Sequence, residues 1–200
     1  MKSLAIEREF GSGGRELGRR LSEKLQFAYY DQEIISEIAK RTSLSEQYLQ
    51  AIVEHRPAFS FPIHIGRSFY PAANPAFEQT MAVYQEQARI ITEMAAKSDC
   101  VIVGRCANYV LRNDPSLVSL FITGKTEDKI LRVVNDYHTA SLEDAEKLME
   151  KTDKRRGNYY NYYTNQDWKD AQHYDLCVNS SVLGIDKTVD LICEFINLKA

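Results

Sequence analysis

A short glycine-rich stretch near the start of the chain has the composition of a phosphate-binding loop. Residues 11–14 read Gly-Ser-Gly-Gly, and Arg15 and Glu16 follow directly. An apolar run at residues 4–6 precedes the stretch and leucines at helical spacing follow it, which predicts a strand, a loop and a helix. Backbone N–H groups at the start of such a helix can bind phosphate, because they have no partners within the helix. The alternative is an ordinary glycine turn before a helix.

The stretch meets the P-loop pattern G-x-x-x-x-G-K-[ST] only in part. With Gly14 as the second glycine, Arg15 stands at the lysine position, Glu16 at the hydroxyl position and Glu9 at the first glycine. Arg15 keeps a positive charge for phosphate oxygens, in a planar guanidinium. Glu16 replaces the hydroxyl that normally reaches magnesium. It must therefore bind the metal by its carboxylate, act through water or repel the phosphates, which makes it a candidate metal ligand.

Strands and helices alternate along the whole chain. Short apolar runs predict four further strands, at residues 27–30, 100–103, 117–122 and 176–178. The runs at 100–103 and 117–122 are continuous rather than alternating, as expected for parallel strands buried on both faces. The patterns Ser43-x-x-Glu46 and Ser141-x-x-Asp144 predict helix starts. The alternation predicts an α/β fold built on a parallel sheet.

Composition excludes several classes of protein. The 25 basic and 28 acidic residues among 200 give a net charge of −3, which argues against a general nucleic-acid or anionic-membrane binder. No apolar run approaches the roughly 18 residues that a membrane span needs. The chain becomes charged by Glu7, which predicts no signal peptide and a cytoplasmic protein. Cysteine spacing shows no metal motif, so buried free thiols are expected at Cys100, Cys106, Cys177 and Cys193.

Five blocks of sequence together resemble a known family. The blocks, in chain order, are residues 7–18, 27–31, 101–109, 152–160 and 174–181. They are similar to the cytidylate kinase-like family of bacterial P-loop proteins, whose glycine loop usually also reads G-S-G-G-R-E. The resemblance implies a three-layer α/β/α P-loop fold with a five-stranded parallel sheet. It further implies a single domain over residues 1–200, with an acceptor-side helical insertion at about 42–75 and a mobile lid at about 141–166.

The activity implied by the resemblance is ATP-dependent phosphoryl transfer with Mg²⁺ to a small acceptor, a nucleoside monophosphate such as CMP. Small nucleotides would then be the partners, with no nucleic acid or membrane. Two alternatives stay open: a catalytically silent sensor that binds a nucleotide or anion, and a kinase for another small metabolite. Prolines and aromatic residues crowd residues 57–75. The aromatic stretch at residues 59–70 is expected either to cover the acceptor pocket or to form a homodimer contact.

Phosphoryl transfer needs several cations from separate segments, because charge neutralisation is its main demand. Arg15 would hold donor phosphates, Arg105 at a strand end would hold the acceptor phosphate, and Arg155 with Arg156 would close from the lid. For Arg105 the alternative is a plain surface charge. The nucleotide-binding residues would be Gly11, Ser12, Gly13, Gly14, Arg15 and Glu16.

The acceptor would be bound by Asp31, Arg105 and Asn108. Asp31 follows the second predicted strand, where it could equally cap the next helix. Cys106 stands where true cytidylate kinases have an aspartate, and Asn108 can donate or accept hydrogen bonds without supplying charge. Four tyrosines at residues 159–163 could stack on a base or pack the hinge of the lid.

Overall fold

The computed structural model describes residues 1–52 and 75–199, and its centre is a five-stranded parallel sheet. The strands are β1 (Ser3–Arg8), β2 (Ala28–Tyr30), β3 (Cys100–Val103), β4 (Leu117–Thr123) and β5 (Leu176–Asn179). Their spatial order is β2-β3-β1-β4-β5. Ile6 on the central strand pairs with Val103 on one side and with Leu120 on the other. All carboxyl ends therefore meet at one end of the sheet, where open α/β sheets bind ligands.

Helices connect the strands and cover both faces of the sheet. Within the described ranges they are α1 (Gly14–Leu25), α2 (Glu33–Thr42), α3 (Glu46–Ile52), α4 (Pro75–Lys97), α5 (Ala107–Val110), α6 (Thr126–Tyr137), α7 (Leu142–Thr164) and α8 (Ser180–Lys199). Helix α8 is interrupted at Gly184, and a 3₁₀ turn at Ala171–His173 precedes β5.

Two apolar cores lie on opposite faces of the sheet. One contains Ala5 of β1 with Ile34 of α2 and Ile90 of α4. The other contains Ile6 with Leu17 of α1, and Ile192 of α8 packs there too. Ala5 and Ile6 face different cores because successive side chains alternate across a strand. This three-layer arrangement confirms the predicted α/β/α fold.

Among the residues that the structure describes, the predicted strands are present, and two local predictions need correction. The Ser141 hydroxyl accepts a hydrogen bond from the Asp144 amide at 3.0 Å and caps α7, as its spacing predicts. The Ser43 prediction was wrong, because Ser43 ends α2 in a left-handed conformation with φ of 56°. Ser45 instead accepts from the Tyr48 amide at 3.2 Å in the first turn of α3. Cys177 was expected to be buried and is exposed, because β5 is an edge strand.

In the described ranges no helix has the length and apolar character to cross a membrane. The aromatic stretch at residues 59–70 lies outside the described residues, as does most of the predicted insertion at 42–75. The predicted lid at about 141–166 coincides with α7, a single helix of 23 residues.

Candidate functional site

The glycine loop joins the end of β1 to the start of α1. Gly13 is the N-cap of α1 with φ of 78°, and no side chain caps this helix start. Gly11 has φ of 77°, and a Cβ there would lie 2.6 Å from the carbonyl oxygen of Lys129. Glycine is therefore required at Gly11 by both backbone conformation and space. The first amides of α1 lack partners within the helix, and the positive end of the helix dipole lies at this loop.

Hydrogen bonds hold the loop in shape. The Ser12 hydroxyl, which is buried, donates to the Glu9 carbonyl oxygen at 2.8 Å. The Ser180 hydroxyl at the start of α8 donates to the Ser12 carbonyl oxygen at 2.7 Å. These bonds fix the loop before any ligand arrives, so binding a phosphate there costs little ordering.

A cavity of about 420 Å³ opens directly in front of the loop. Five arginines line it, and they come from four different elements: Arg8, Arg15, Arg19, Arg132 and Arg156. Three acids also line it, namely Glu9, Glu16 and Asp136. Arginine is suited to phosphate, because its planar donors match two oxygens at once. Arginines outnumber acids in this lining, so positive charge predominates in the cavity.

Arg15 is paired with Asp31 in this structure. Its Nε lies 2.7 Å from a carboxylate oxygen of Asp31, which is buried at the end of β2. Burial disfavours the charge of Arg15, but the Asp31 carboxylate outweighs it, so the pKa of Arg15 is raised. The alternative role of Asp31 as a helix cap is not observed, since Gln32 is the N-cap of α2.

Glu16 forms an ion pair with an arginine on each side. One carboxylate oxygen lies 2.6 Å from Arg20 and the other lies 3.0 Å from Arg132. The described residues hold no group of three or more His, Cys, Asp or Glu side chains placed to bind a metal. The donor set therefore does not fit direct magnesium ligation by Glu16, because both its oxygens already face cations.

Glu9 is neutralised on the opposite side of the loop. Its carboxylate accepts hydrogen bonds from the Lys129 ammonium at 2.7 Å and the Thr123 hydroxyl at 2.6 Å, and it also binds Lys169. Burial opposes ionisation, but these bonds outweigh it and lower the pKa of Glu9 to about 2. The negative charge of Glu9 is therefore balanced by lysines, so it does not offset the positive charge of the arginines that line the cavity.

Arg8 is a site residue that sequence reasoning missed. It is the last residue of β1 and is 5% exposed. Its guanidinium lies across Gly104, where a Cβ would stand 2.1 Å from the nearest Arg8 nitrogen. Gly104 is left-handed with φ of 78°, and so are Arg105 and Cys106 with φ of 63° and 54°. The chain after β3 thus turns tightly around the Arg8 side chain.

Arg105 lines a separate, smaller cavity of about 10 Å³. Arg8 and Arg156 line both this cavity and the larger one, so they connect Arg105 to the residues around the loop. The Arg105 carbonyl accepts from the Gln87 side-chain amide at 3.1 Å, which fixes the turn. Arg155, also predicted, is half-buried on α7 and lies outside the residues that line these two cavities.

Helix α7 contacts the loop through two side chains. Asp153 accepts a hydrogen bond from the Phe10 amide at 2.6 Å, and Arg156 donates to the Arg8 carbonyl at 3.1 Å. Burial raises the pKa of Asp153. Tyr159 and Tyr160 are buried in an aromatic cluster, which favours the packing role over base stacking for these two tyrosines.

Asn108 is buried at the start of α5. Its amide nitrogen donates to the Tyr160 hydroxyl at 2.8 Å. Its side-chain oxygen is buried and has no hydrogen-bond partner among the described residues. Asn108 does not line the arginine-lined cavity in front of the loop, so the structure does not bring it together with Arg15.

A phosphate loop after the central strand of a five-stranded parallel sheet defines the P-loop class of α/β proteins. Within that class, the chain belongs to the Cytidylate kinase-like family, whose model matches residues 3–182.

The chain is similar to one curated relative and to several solved structures. A cytidylate kinase of Staphylothermus marinus is 25% identical over 201 residues, covering 98% of this chain and 97% of that protein. The crystal structure of an uncharacterized protein from Eubacterium ventriosum is 27% identical, with a TM-score of 0.75 and coverage of 98% and 99%. Shikimate kinase from Bacteroides thetaiotaomicron is 11% identical with a TM-score of 0.56 and coverage of 98% of each chain, which shows a shared fold alone.

Proposed function

We propose that this protein transfers the terminal phosphoryl group of ATP to a small acceptor, a nucleoside monophosphate such as CMP. The observation that carries the proposal is the arginine-lined cavity in front of an uncapped helix start. Family membership and the cytidylate kinase relative support the reaction class. Transfer of a phosphoryl group depends mainly on positioning and charge neutralisation, which such a cavity can supply.

The donor phosphates would bind in the loop. Amides of residues 11–16 would donate to phosphate oxygens, and Arg15 would exchange part of its contact with Asp31 for the phosphates. Its fixed charge is available at any pH at which the protein is folded, because arginine stays protonated.

The acceptor phosphate would bind on the β3 side of the loop. Arg105 would hold it, and Arg8 and Arg156 lie between the two cavities, where charge develops during transfer. Asp31, released from part of its pairing with Arg15, would orient the acceptor by hydrogen bonds. Asn108 is buried and lines neither cavity, so it would act through the Tyr160 hydroxyl, to which it donates. The α7 helix would act as the lid, with Arg156 and Arg155 following its movement.

A silent nucleotide sensor is the second candidate, and the pairing of Glu16 with Arg20 and Arg132 favours it. A carboxylate at the hydroxyl position of the loop removes a ligand that P-loop kinases use for magnesium. In that case the cavity would bind a nucleotide or another anion without turnover. A kinase for a different small metabolite differs only in the acceptor.

The test is ADP release from ATP with each of CMP, dCMP, UMP and AMP as acceptor. We expect acceptor-dependent ADP from the wild type and a loss of at least about tenfold in the Arg15→Ala variant. Arg89→Ala is the matched control, because Arg89 lies on α4 and pairs with Glu86 and Glu93 outside the cavity. ATP binding that depends on Arg15, without ADP from any of the four acceptors, would overturn the nucleoside monophosphate proposal. It would leave the sensor and the kinase for another small metabolite as the two candidates.

A further inference from the structure

The ion pairs of Glu16 determine how charge is balanced at the loop. Glu16 stands at the hydroxyl position of the P-loop pattern, on the first turn of α1. Its two oxygens face Arg20 and Arg132 at 2.6 and 3.0 Å. Arg20 is also bound to Asp186 at the other end of the chain. The carboxylate is thus held in a network of side chains, and a divalent cation placed beside it would be repelled by two guanidinium groups.

Arg132 lies directly against the loop. Its guanidinium carbon is 3.4 Å from the position that a Cβ would take at Gly13. Arg132 is partly buried and lines the arginine-lined cavity in front of the loop. Arg132 thus brings a cation from α6 to the loop and pairs it with Glu16, the residue at the hydroxyl position of the P-loop pattern. With Arg8 and Arg156 it forms a set of arginines from three separate elements around the same space.

We infer that this site binds the triphosphate of ATP without a divalent cation, with arginines supplying the positive charge that magnesium supplies elsewhere. The inference rests on the proposed function, because it concerns the same cavity and the same donor. Free ATP carries more negative charge than its magnesium complex, so an arginine-lined cavity binds it at least as well. A magnesium ion that arrives bound to the nucleotide would keep its water ligands and would take no ligand from Glu16.

The test is the affinity for ATP by isothermal titration calorimetry, measured once with excess Mg²⁺ and once with excess EDTA. The wild type is expected to bind ATP in EDTA at least as tightly as with Mg²⁺. Binding that is weaker in EDTA than with Mg²⁺ overturns the inference and leaves the proposed function standing. Absence of ATP binding in both media overturns the proposed function, and the inference falls with it.

Two variants test whether the ion pair between Glu16 and Arg132 determines how ATP binding depends on Mg²⁺. Arg132→Gln is expected to weaken binding in EDTA by about tenfold, because it removes one charged donor from the cavity. Glu16→Ser supplies a hydroxyl and frees Arg132 from its pair, so this variant is expected to bind ATP more tightly with Mg²⁺ than the wild type does. A Glu16→Ser variant whose affinity is the same as that of the wild type in both media overturns the role given to Glu16.

Glu23→Ser is the matched control. Glu23 is an exposed acid on the same helix, two turns beyond Glu16, and the substitution is chemically the same. Its ratio of affinities in EDTA and Mg²⁺ is expected to equal that of the wild type. A ratio that changes equally in Glu23→Ser and Glu16→Ser would show a general charge effect of α1 and overturn the inference.

Discussion

Replacing Glu9 by glutamine is expected to destabilise the protein strongly at neutral pH. The Glu9 side chain is 9% exposed and the Lys129 side chain is 8% exposed, and the two lie 2.7 Å apart. The substitution leaves the Lys129 ammonium buried beside a neutral amide. Breaking a buried pair in this way costs more than losing a surface ion pair, because the remaining charge is desolvated without compensation.

The magnitude follows from the pKa of Glu9. Its value of about 2, against an ordinary value of 4.5, corresponds to about 3 kcal/mol of stability from the ionised form. Because the pKa is lowered on folding, this contribution is complete above 4.5 and is lost as the pH falls toward 2. The difference between the wild type and Glu9→Gln should therefore be about 3 kcal/mol near neutral pH and shrink steadily in acid.

Urea unfolding followed by circular dichroism at about pH 7 and about pH 3 measures that difference. Glu143→Gln is the control, because Glu143 forms an ion pair with Lys147 and its side chain is 76% exposed. The control should match the wild type at both pH values. A Glu9→Gln variant as stable as the wild type at neutral pH, or a difference independent of pH, would refute the account of the loop.

Three further substitutions test the geometry around the loop. Gly104→Ala is expected to lower both the stability and the affinity for ATP, measured by unfolding and calorimetry, because its Cβ would displace the Arg8 guanidinium. Retained stability and affinity would contradict that placement. Asp153→Asn is expected to raise the free energy of unfolding at neutral pH, because burial raises the pKa of Asp153 and its ionised form is unfavourable there. Asp153→Ala should lower it by about 1 to 2 kcal/mol, because the Phe10 amide loses its acceptor. Equal stability of the two Asp153 variants would count against both statements.

The fold was predictable because its signals are local. Glycines at Gly11 and Gly13 mark the loop, and the continuous apolar run at residues 100–103 marks a strand buried on both faces. Arg15 was predictable from its place in the motif. The strand order and the side of the sheet on which each helix lies were not predicted, because they depend on contacts between segments far apart in the sequence.

Arg8 and Arg132 could not be found in this way. Arg8 ends a buried strand, and only the pairing of β1 with β3 brings it against Gly104. Arg132 lies among the polar residues of an amphipathic helix, where the sequence predicts an exposed side chain. Its role depends on the packing of α6 beside the loop. The usable signal was Gly104, because a glycine after a buried strand indicates a close approach of another group.

The burial of Lys129 was also invisible in the sequence. Lysine at the start of an amphipathic helix is normally exposed. Here it is 6% exposed, because Glu9 provides a buried counter-charge from a loop 120 residues away in sequence. An ion pair between residues so far apart in sequence can be recognised only when the positions of the loop and α6 in the fold are known.

The most direct test of the central claim is transfer of label from γ-³²P-labelled ATP to CMP. The account predicts that label appears in CDP with the wild type, and that the Arg15→Ala variant forms at least about tenfold less. Label that stays in ATP, or that is released only as inorganic phosphate whichever nucleoside monophosphate is present, would contradict the claim.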